Sequence, residues 1–390
     1  MDGQKVSSTH PLLPPTTEDA RSSWLRLLRS RRVGTATFYR LMAEHGSAEA
    51  ALAALPEVAR AAGVDDYRPC PEGVVRAEMR AARDAGATLI CRGDAAYPAA
   101  LTDLSDAPPC LWALGDLSVL DRPAVALVGA RNASSLGTRM ARSLASGLGQ
   151  AGQVVVSGLA RGIDAAAHRA SLDTGTIAVM AGGVDVLYPA ENAALAGEIP
   201  ANGLRLSEMP MGLQPAARHF PARNRIVSGL ARAVVVVEAA ARSGSLITAR
   251  AALDQGRDVL AVPGHPLDAR AAGCNMLIRD GATLVRGPED VLEALRPLPE
   301  PVQAAEAPPA APAAPPDPPA AATRPPDRRS LRDTAALHRQ ILDRLGPAPL
   351  AEDQLIRDLD RPPADITPAL TELELDGRIA RHSGGLLSRA

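Results

Sequence analysis

The chain has 390 residues, with 42 Lys and Arg against 44 Asp and Glu and a formal net charge of −2. That length holds two or three domains and a sizeable core. The charge excludes a global basic field for nucleic acid, so any anion site has to be a local patch.

Residues 1–16 read as a disordered start without the long apolar core of a signal peptide. From 17 to 85 the pattern is helical. Leu25, Leu27, Leu28, Phe38, Leu41 and Met42 lie at helical spacing and predict a small helical domain. Its stretch "RRVGTATFYRLM" resembles a helix-hairpin-helix or SAM-like turn, where Gly34 permits the corner and nearby amides can meet a phosphate. A plain helical packing domain fits the same residues.

From 86 to 299, short β-branched runs alternate with amphipathic segments. Strands are predicted at 124–129, 153–158, 176–183, 233–240 and 258–264. Leu136, Met140, Leu144 and Leu148 predict one helical stripe against a sheet. Continuous apolar strands joined by helices argue for an α/β fold, a doubly wound parallel sheet covered on both faces.

Residues 300–330 are Pro/Ala-rich and read as an extended, semi-stiff linker. Residues 331–388 then hold two or three short helices and two apolar runs around Ser383, Gly384 and Gly385, the pattern of a C-terminal winged-helix domain. Its candidate recognition helix carries Asp365, Glu372, Glu374 and Asp376, which would repel phosphate. The domain therefore reads as a protein-interaction module or a dispensable appendage, not as a duplex reader.

Cys70, Cys91, Cys110 and Cys274 show no C-x-x-C spacing and read as buried thiols, not as a zinc or redox pair. No apolar run approaches the roughly 20 residues of a membrane span. The chain is expected to be soluble and cytoplasmic.

In open parallel sheets, ligands bind beyond the carboxyl ends of the strands. The loop after the first predicted strand is Gly129-Ala130-Arg131-Asn132-Ala133-Ser134-Ser135, and the one after the second runs from Ser157 to Asp164 around Arg161. After the third comes "AGGVDVLYP"; after the fourth, Arg242, Ser243, Gly244 and Ser245 precede a helix. Glycine, hydroxyl, arginine and helix N-terminus recur on one rim. Any one such loop is an ordinary turn, but four together make an anion-binding edge.

Between 218 and 250 there are six arginines, 218, 223, 225, 232, 242 and 250, and a single acid, Glu238. The stretch "HFPARNRIVSGL" adds Phe220 and Asn224 to this positive field. A row of phosphates suits separated arginine forks, with Phe220 as a stacking surface and Asn224 reaching a base edge. Phe220 as an ordinary core ring remains open. "GARNASSLG" lacks the second and third glycines of a dinucleotide fingerprint, and with Lys5 the only lysine there is no Walker loop, so no cofactor is expected. Asp164 and His168 stand four apart on a predicted helix, which fits a local hydrogen bond better than a catalytic or metal pair.

The strings "VALVGARNASSLG", "VVSGLARGIDAAAHRASL", "FPARNRI", "SGSLITA" and "GCNMLIRDGATLV" together resemble the DNA-processing protein A (Smf) family over about 86–290. The resemblance implies an extended Rossmann-like fold, single-stranded DNA binding, protection of incoming strands and RecA loading in natural transformation, and a homodimer. Carried over by position, the DNA-binding residues would be Gly129, Arg131, Ser157, Gly158, Arg161, Phe220, Arg223, Asn224, Arg225, Arg242, Ser243 and Gly244. Arg218 and Arg250 match no motif position. Residues 274–286, with the run Met276, Leu277 and Ile278, are expected near the dimer contact and a RecA-binding face. The rival is a Rossmann-like nucleoside-monophosphate phosphoribohydrolase. Its general base is missing here, because no acid follows Ser243 until Asp254.

Overall fold

The computed structural model describes residues 14–296, 331–346, 350–359, 366, 369–370, 373–374, 378–382 and 386–389. The start over 1–13, the 300–330 linker, and Asp365, Glu372 and Asp376 lie outside the described residues. Two compact units divide the chain, Met1–Pro299 and Glu300–Ala390.

The first unit opens with four helices, α1 (Glu18–Arg29), α2 (Thr35–His45), α3 (Ala48–Ala61) and α4 (Glu72–Asp84). Thr17 caps α1 by accepting from the Ala20 amide, with Glu18 and Asp19 in its first turn and Arg26 and Arg29 in its last, matching the helix dipole. Trp24, Leu27, Phe38, Leu41, Met42 and Leu52 form its core together with Cys91 and Cys110 of the adjoining strands.

Those strands are β1 (Thr88–Cys91) and β2 (Cys110–Gly115), with the single turn α5 (Ala99–Thr102) between them. There follow β3 (Ala124–Val128), α6 (Ser135–Gln150), β4 (Val154–Ser157), α7 (Ile163–Ala170), β5 (Thr176–Val179), α8 (Ala193–Glu198), β6 (Leu204–Ser207) and α9 (His219–Leu230). The unit ends with β7 (Ala233–Val236), α10 (Ser245–Asp254), β8 (Asp258–Ala261), α11 (Ala272–Arg279), β9 (Thr283–Leu284) and α12 (Pro288–Ala294).

The nine strands form one sheet in the order β1-β2-β6-β5-β4-β3-β7-β8-β9. From β6 to β9 every neighbour is parallel, whereas β2 runs antiparallel to β6 and β1 antiparallel to β2. The doubly wound expectation therefore holds for seven strands and gains an antiparallel margin. Alternate strand residues feed two cores. Ala126, Val128, Val156, Val234 and Val236 meet Ile226, Val227 and Leu230 of α9 and Ala249 and Ala252 of α10. Val125, Leu127, Val155 and Val235 meet Ala141, Leu144, Ala145 and Leu148 of α6 and Ile163 of α7.

The predicted Leu136–Leu148 stripe is corrected. Leu136 is 66% exposed, and Ala141 and Ala145 take the inner face beside Leu144 and Leu148. Four residues overshoot one helical turn by about 40°, so a strict four-residue repeat drifts off the sheet.

In the second unit, α13 (Leu331–Arg344) and α14 (Glu352–Leu359) accompany a three-stranded antiparallel sheet of β10 (Leu350–Ala351), β11 (Ile379–His382) and β12 (Leu386–Arg389), in the order β10-β12-β11. Its core holds Leu337, Ile341, Leu355, Leu370, Leu373 and Leu387. This is the winged-helix arrangement expected of the C-terminal segment. Among the described residues no helix is long and apolar enough to cross a membrane.

Candidate nucleic-acid interface

From β3 the chain steps outward through β4, β5 and β6, then returns through α9 to β7 on the other side of β3. The carboxyl ends of β3 and β7 are thus the topological switch point, where doubly wound sheets bind ligands. A groove of about 590 Å³ lies there, lined by Arg131, Asp164, Phe220, Asn224, Arg242 and Gly244 among others. A second cavity of about 510 Å³ adjoins it through Arg131, Gly158, Ala160 and Phe220, and extends past Tyr188 to Glu191. The helices that follow or precede parallel strands run antiparallel to them. The N-termini of α6, α7, α9 and α10 therefore all reach this rim.

Two of the expected amide nests are already filled by the chain's own carboxylates. Glu238 accepts from the Ser134 amide at 2.9 Å and from the Ser134 hydroxyl, at the start of α6. A Cβ on Gly137 would collide with that carboxylate. Asp164 accepts from the amides of Gly158 and Ala160 at 3.2 and 3.3 Å. The α6 terminus that would hold a dinucleotide's pyrophosphate is thus occupied. At α10 the Ser245 amide donates to Ser243 Oγ at 3.4 Å and the Leu246 and Ile247 amides donate to the carbonyls of Ser243 and Gly244, while the space beside Gly244 is open and the hydroxyls of Ser243 and Ser245 lie 2.7 Å apart. Arg242 is exposed beside it.

Phe220, in the first turn of α9, is half-buried between the two cavities. The Arg131 guanidinium lies over its ring at 5.1 Å, and Tyr188 stands 6.2 Å away, tilted by 50°. Arg161 is exposed on the second cavity, 3.5 Å from Glu191. Asn224 lines the groove and accepts at Oδ1 from Arg223 Nε. Gly129 is confined by Ile163 and by the Glu238 carbonyl, so it serves close approach between loops.

Three carried-over residues have other partners. Ser157 is buried and donates to the Leu127 carbonyl at 2.6 Å. Arg223 is 5% exposed, and its Nη1 donates to the carbonyls of Gly158 and Val179, both at 2.5 Å. Gly158 is glycine because that guanidinium fills the place of a Cβ. Arg225 turns away from the groove to Glu208 at 2.6 Å and Asp106 at 3.5 Å.

Asp164 and His168 do not pair with each other. His168 Nδ1 lies 2.7 Å from the Thr176 hydroxyl, which itself donates to the Val155 carbonyl, so Nδ1 carries the proton and donates. Its Nε2 is buried without a partner. Burial, with Arg223 adding to it, pushes the imidazole down to about 3 and keeps it neutral. Burial also raises the Asp164 carboxyl, against the pull of Arg223 and the two amides. Among the described residues no cluster of His, Cys, Asp and Glu could hold a metal ion.

Sequence reasoning missed Tyr188 and Arg270. Tyr188 stood in a quoted loop, but nothing local put its ring near Phe220. Arg270 lines the groove from the loop after β8 and is forked onto Asp268. Only its position after a strand pointed to it.

The family model described as DNA recombination-mediator protein A matches residues 88–296. The DprA-like N-terminal HHH domain matches 18–81, and the DprA winged helix domain matches 305–385. The chain is 49% identical over 201 residues to the DNA processing protein DprA of Streptococcus pneumoniae, covering 51% of this chain and 71% of that protein. It is 38% identical over 292 residues to the Smf protein of Escherichia coli, covering 74% of each. The X-ray structure of DNA processing protein A from Streptococcus pneumoniae has a TM-score of 0.55 and 37% identity, over 70% of this chain and 92% of that one. A structure of the Helicobacter pylori protein, reported for its single-stranded DNA binding mode, has a TM-score of 0.50 and 31% identity, over 54% and 95%.

Proposed function

Because the chain belongs to the DNA recombination-mediator protein A family, whose members process DNA, we propose that its switch-point groove grips single-stranded DNA without reacting with it. The bound strand is protected and handed to RecA during natural transformation. The observation that carries this reading is the half-buried ring of Phe220 under the exposed Arg131 guanidinium, in a groove that exposed Arg242 and the hydroxyls at the start of α10 also line. A base face meets the ring, while guanidinium forks and the Ser243 and Ser245 hydroxyls meet successive phosphates. Arg161 extends the track into the second cavity. The Helicobacter pylori relative's reported binding mode supports the same ligand.

A homodimer would present two such grooves to one strand and raise avidity. Its contact is assigned to 274–286, where β9 is a sheet edge and Leu284 is exposed. Leu277 and Ile278 pack partly against the chain's own core, which leaves Leu284 and Met276 as the more available apolar groups.

Against hydrolysis stands the lack of a free carboxylate in the groove. Among the described residues that line it, Asp164 is the only acid, and that carboxylate already accepts two backbone amides.

The test is a mobility-shift titration with single- and double-stranded DNA at two salt concentrations. The log–log salt slope of Arg131→Ala/Arg242→Ala should be shallower by about 0.7 per lost phosphate contact, with weaker single-strand binding. An unchanged slope and affinity would overturn the reading. Free base released from nucleoside monophosphates would favour the hydrolase instead.

A further inference from the structure

We propose that the N-terminal helical layer sets the position of α9 through a buried relay of charge, making Arg29 and Glu78 positioning residues for the groove. This rests on the strand-binding reading above. The relay begins at β2, where Trp112 Nε1 donates to Glu78 Oε1 at 2.8 Å. Arg29 of α1 forks onto the same carboxylate of α4, with Nε to Oε2 at 2.9 Å and Nη2 to Oε1 at 2.8 Å. Its remaining nitrogen, Nη1, reaches the Glu208 carbonyl just past β6 at 3.4 Å. The Glu208 carboxylate then holds Arg225 of α9 at 2.6 Å, with Asp106 at 3.5 Å on the same guanidinium.

The four side chains of the two close ion pairs are between 6% and 16% exposed. Buried ion pairs add little net stability over apolar replacements but fix a geometry, because a lone buried charge is costly. The geometry fixed here is that of α9. Residues 220 and 225 lie about 140° apart around a helix, so Phe220 faces the groove while Arg225 faces the relay. Arg223 pins the same helix to the ends of β4 and β5. Between them the two arginines set how α9 is rotated and how far its ring stands out into the groove.

Of the α9 residues on the groove, Phe220 is the ring that stacks on a base, and reading the relay through it makes the relay separable from a merely structural role. The full-length chain is titrated with a labelled oligothymidylate, by anisotropy, well below its melting temperature. Glu78→Gln keeps an acceptor for Trp112 but removes the charge. It should weaken binding about tenfold, the size of one lost base–aromatic contact, and leave the salt slope unchanged because no phosphate contact is lost. In a Phe220→Ala background the same substitution should have no further effect. Arg29→Met/Glu78→Gln, which leaves no lone buried charge, should behave alike if the single variant folds poorly. In a Trp24→Phe chain the strand should also shift Trp112 emission, since coupling is reciprocal.

Full-strength binding by folded Glu78→Gln, an additive loss with Phe220→Ala, or a silent Trp112 would each overturn the relay. If Phe220→Ala itself binds at full strength, the ring's role fails and the relay fails with it. If Phe220→Ala weakens binding and Glu78→Gln does not, the relay alone is lost.

Discussion

Arg223 Nη1 donates to the carbonyls that follow β4 and end β5, and burial drags its guanidinium down to about 10, which still leaves it a cation at neutral pH. Its Nη1 therefore fixes the groove wall, which the residue itself lines. Beneath it sits His168, fully buried and held neutral at about 3. An unfolded histidine titrates near 6.5, so below that pH the unfolded chain takes up a proton that the folded chain refuses. Stability should fall as pH drops from about 6.5 and level off below about 3, with no contribution from this group above 6.5. Asp164 works in the opposite sense, because its raised carboxyl is protonated more readily in the folded state. Comparison with His168→Leu isolates the imidazole. In urea titrations between pH 7 and pH 5, wild type should lose about 2 kcal/mol more than the variant. Equal losses would mean that the ring is not held neutral.

At the scale of elements, Glu238 completes the start of α6 from the end of β7, 104 residues along the chain from Ser134. It faces a separate cavity with Leu136 and Met140, not the switch-point groove. Glu238→Gln should therefore cost about 1 kcal/mol of stability by removing the anion from the helix N-terminus. Single-strand affinity should stay unchanged, and a matching loss of affinity would place the strand at α6 instead. This pairing also marks where sequence reading stops. β3, β4, β5, β7 and β8 were legible because each is a β-branched or apolar run buried on both faces, save for the exposed Asp258 that opens β8. β6 was not, because "LRLS" places Arg205 in a buried strand position at 7% exposure. β1 and β2 pair antiparallel with α5 between them, outside the strand–helix alternation of the parallel sheet, and β9 has only two residues. The rim loops were legible as glycine, arginine and hydroxyl after a strand. Which of their amides were taken, by Glu238 and Asp164, depended on side chains brought in by the fold.

At the scale of the whole molecule, every residue assigned to the groove and to the relay belongs to the first unit, Met1–Pro299. The second unit has its own apolar core, and that core shares no residue with those of the first. A small-domain core is marginal on its own, so the second unit should melt earlier and separately. A chain ending at 299 should then keep the upper melting transition and lose the lower one. Its grip on a single strand should stay within about twofold of the full chain, since no phosphate contact or ring has been removed. Duplex retention should likewise be unchanged, if the second unit meets proteins and not DNA. Calorimetry and mobility shifts on the two chains measure all three quantities. Collapse of single-strand affinity on truncation would move the strand's seat out of the switch-point groove, because nothing within that groove would have changed. Collapse of duplex affinity alone would leave the groove in place and make the winged helix a DNA reader.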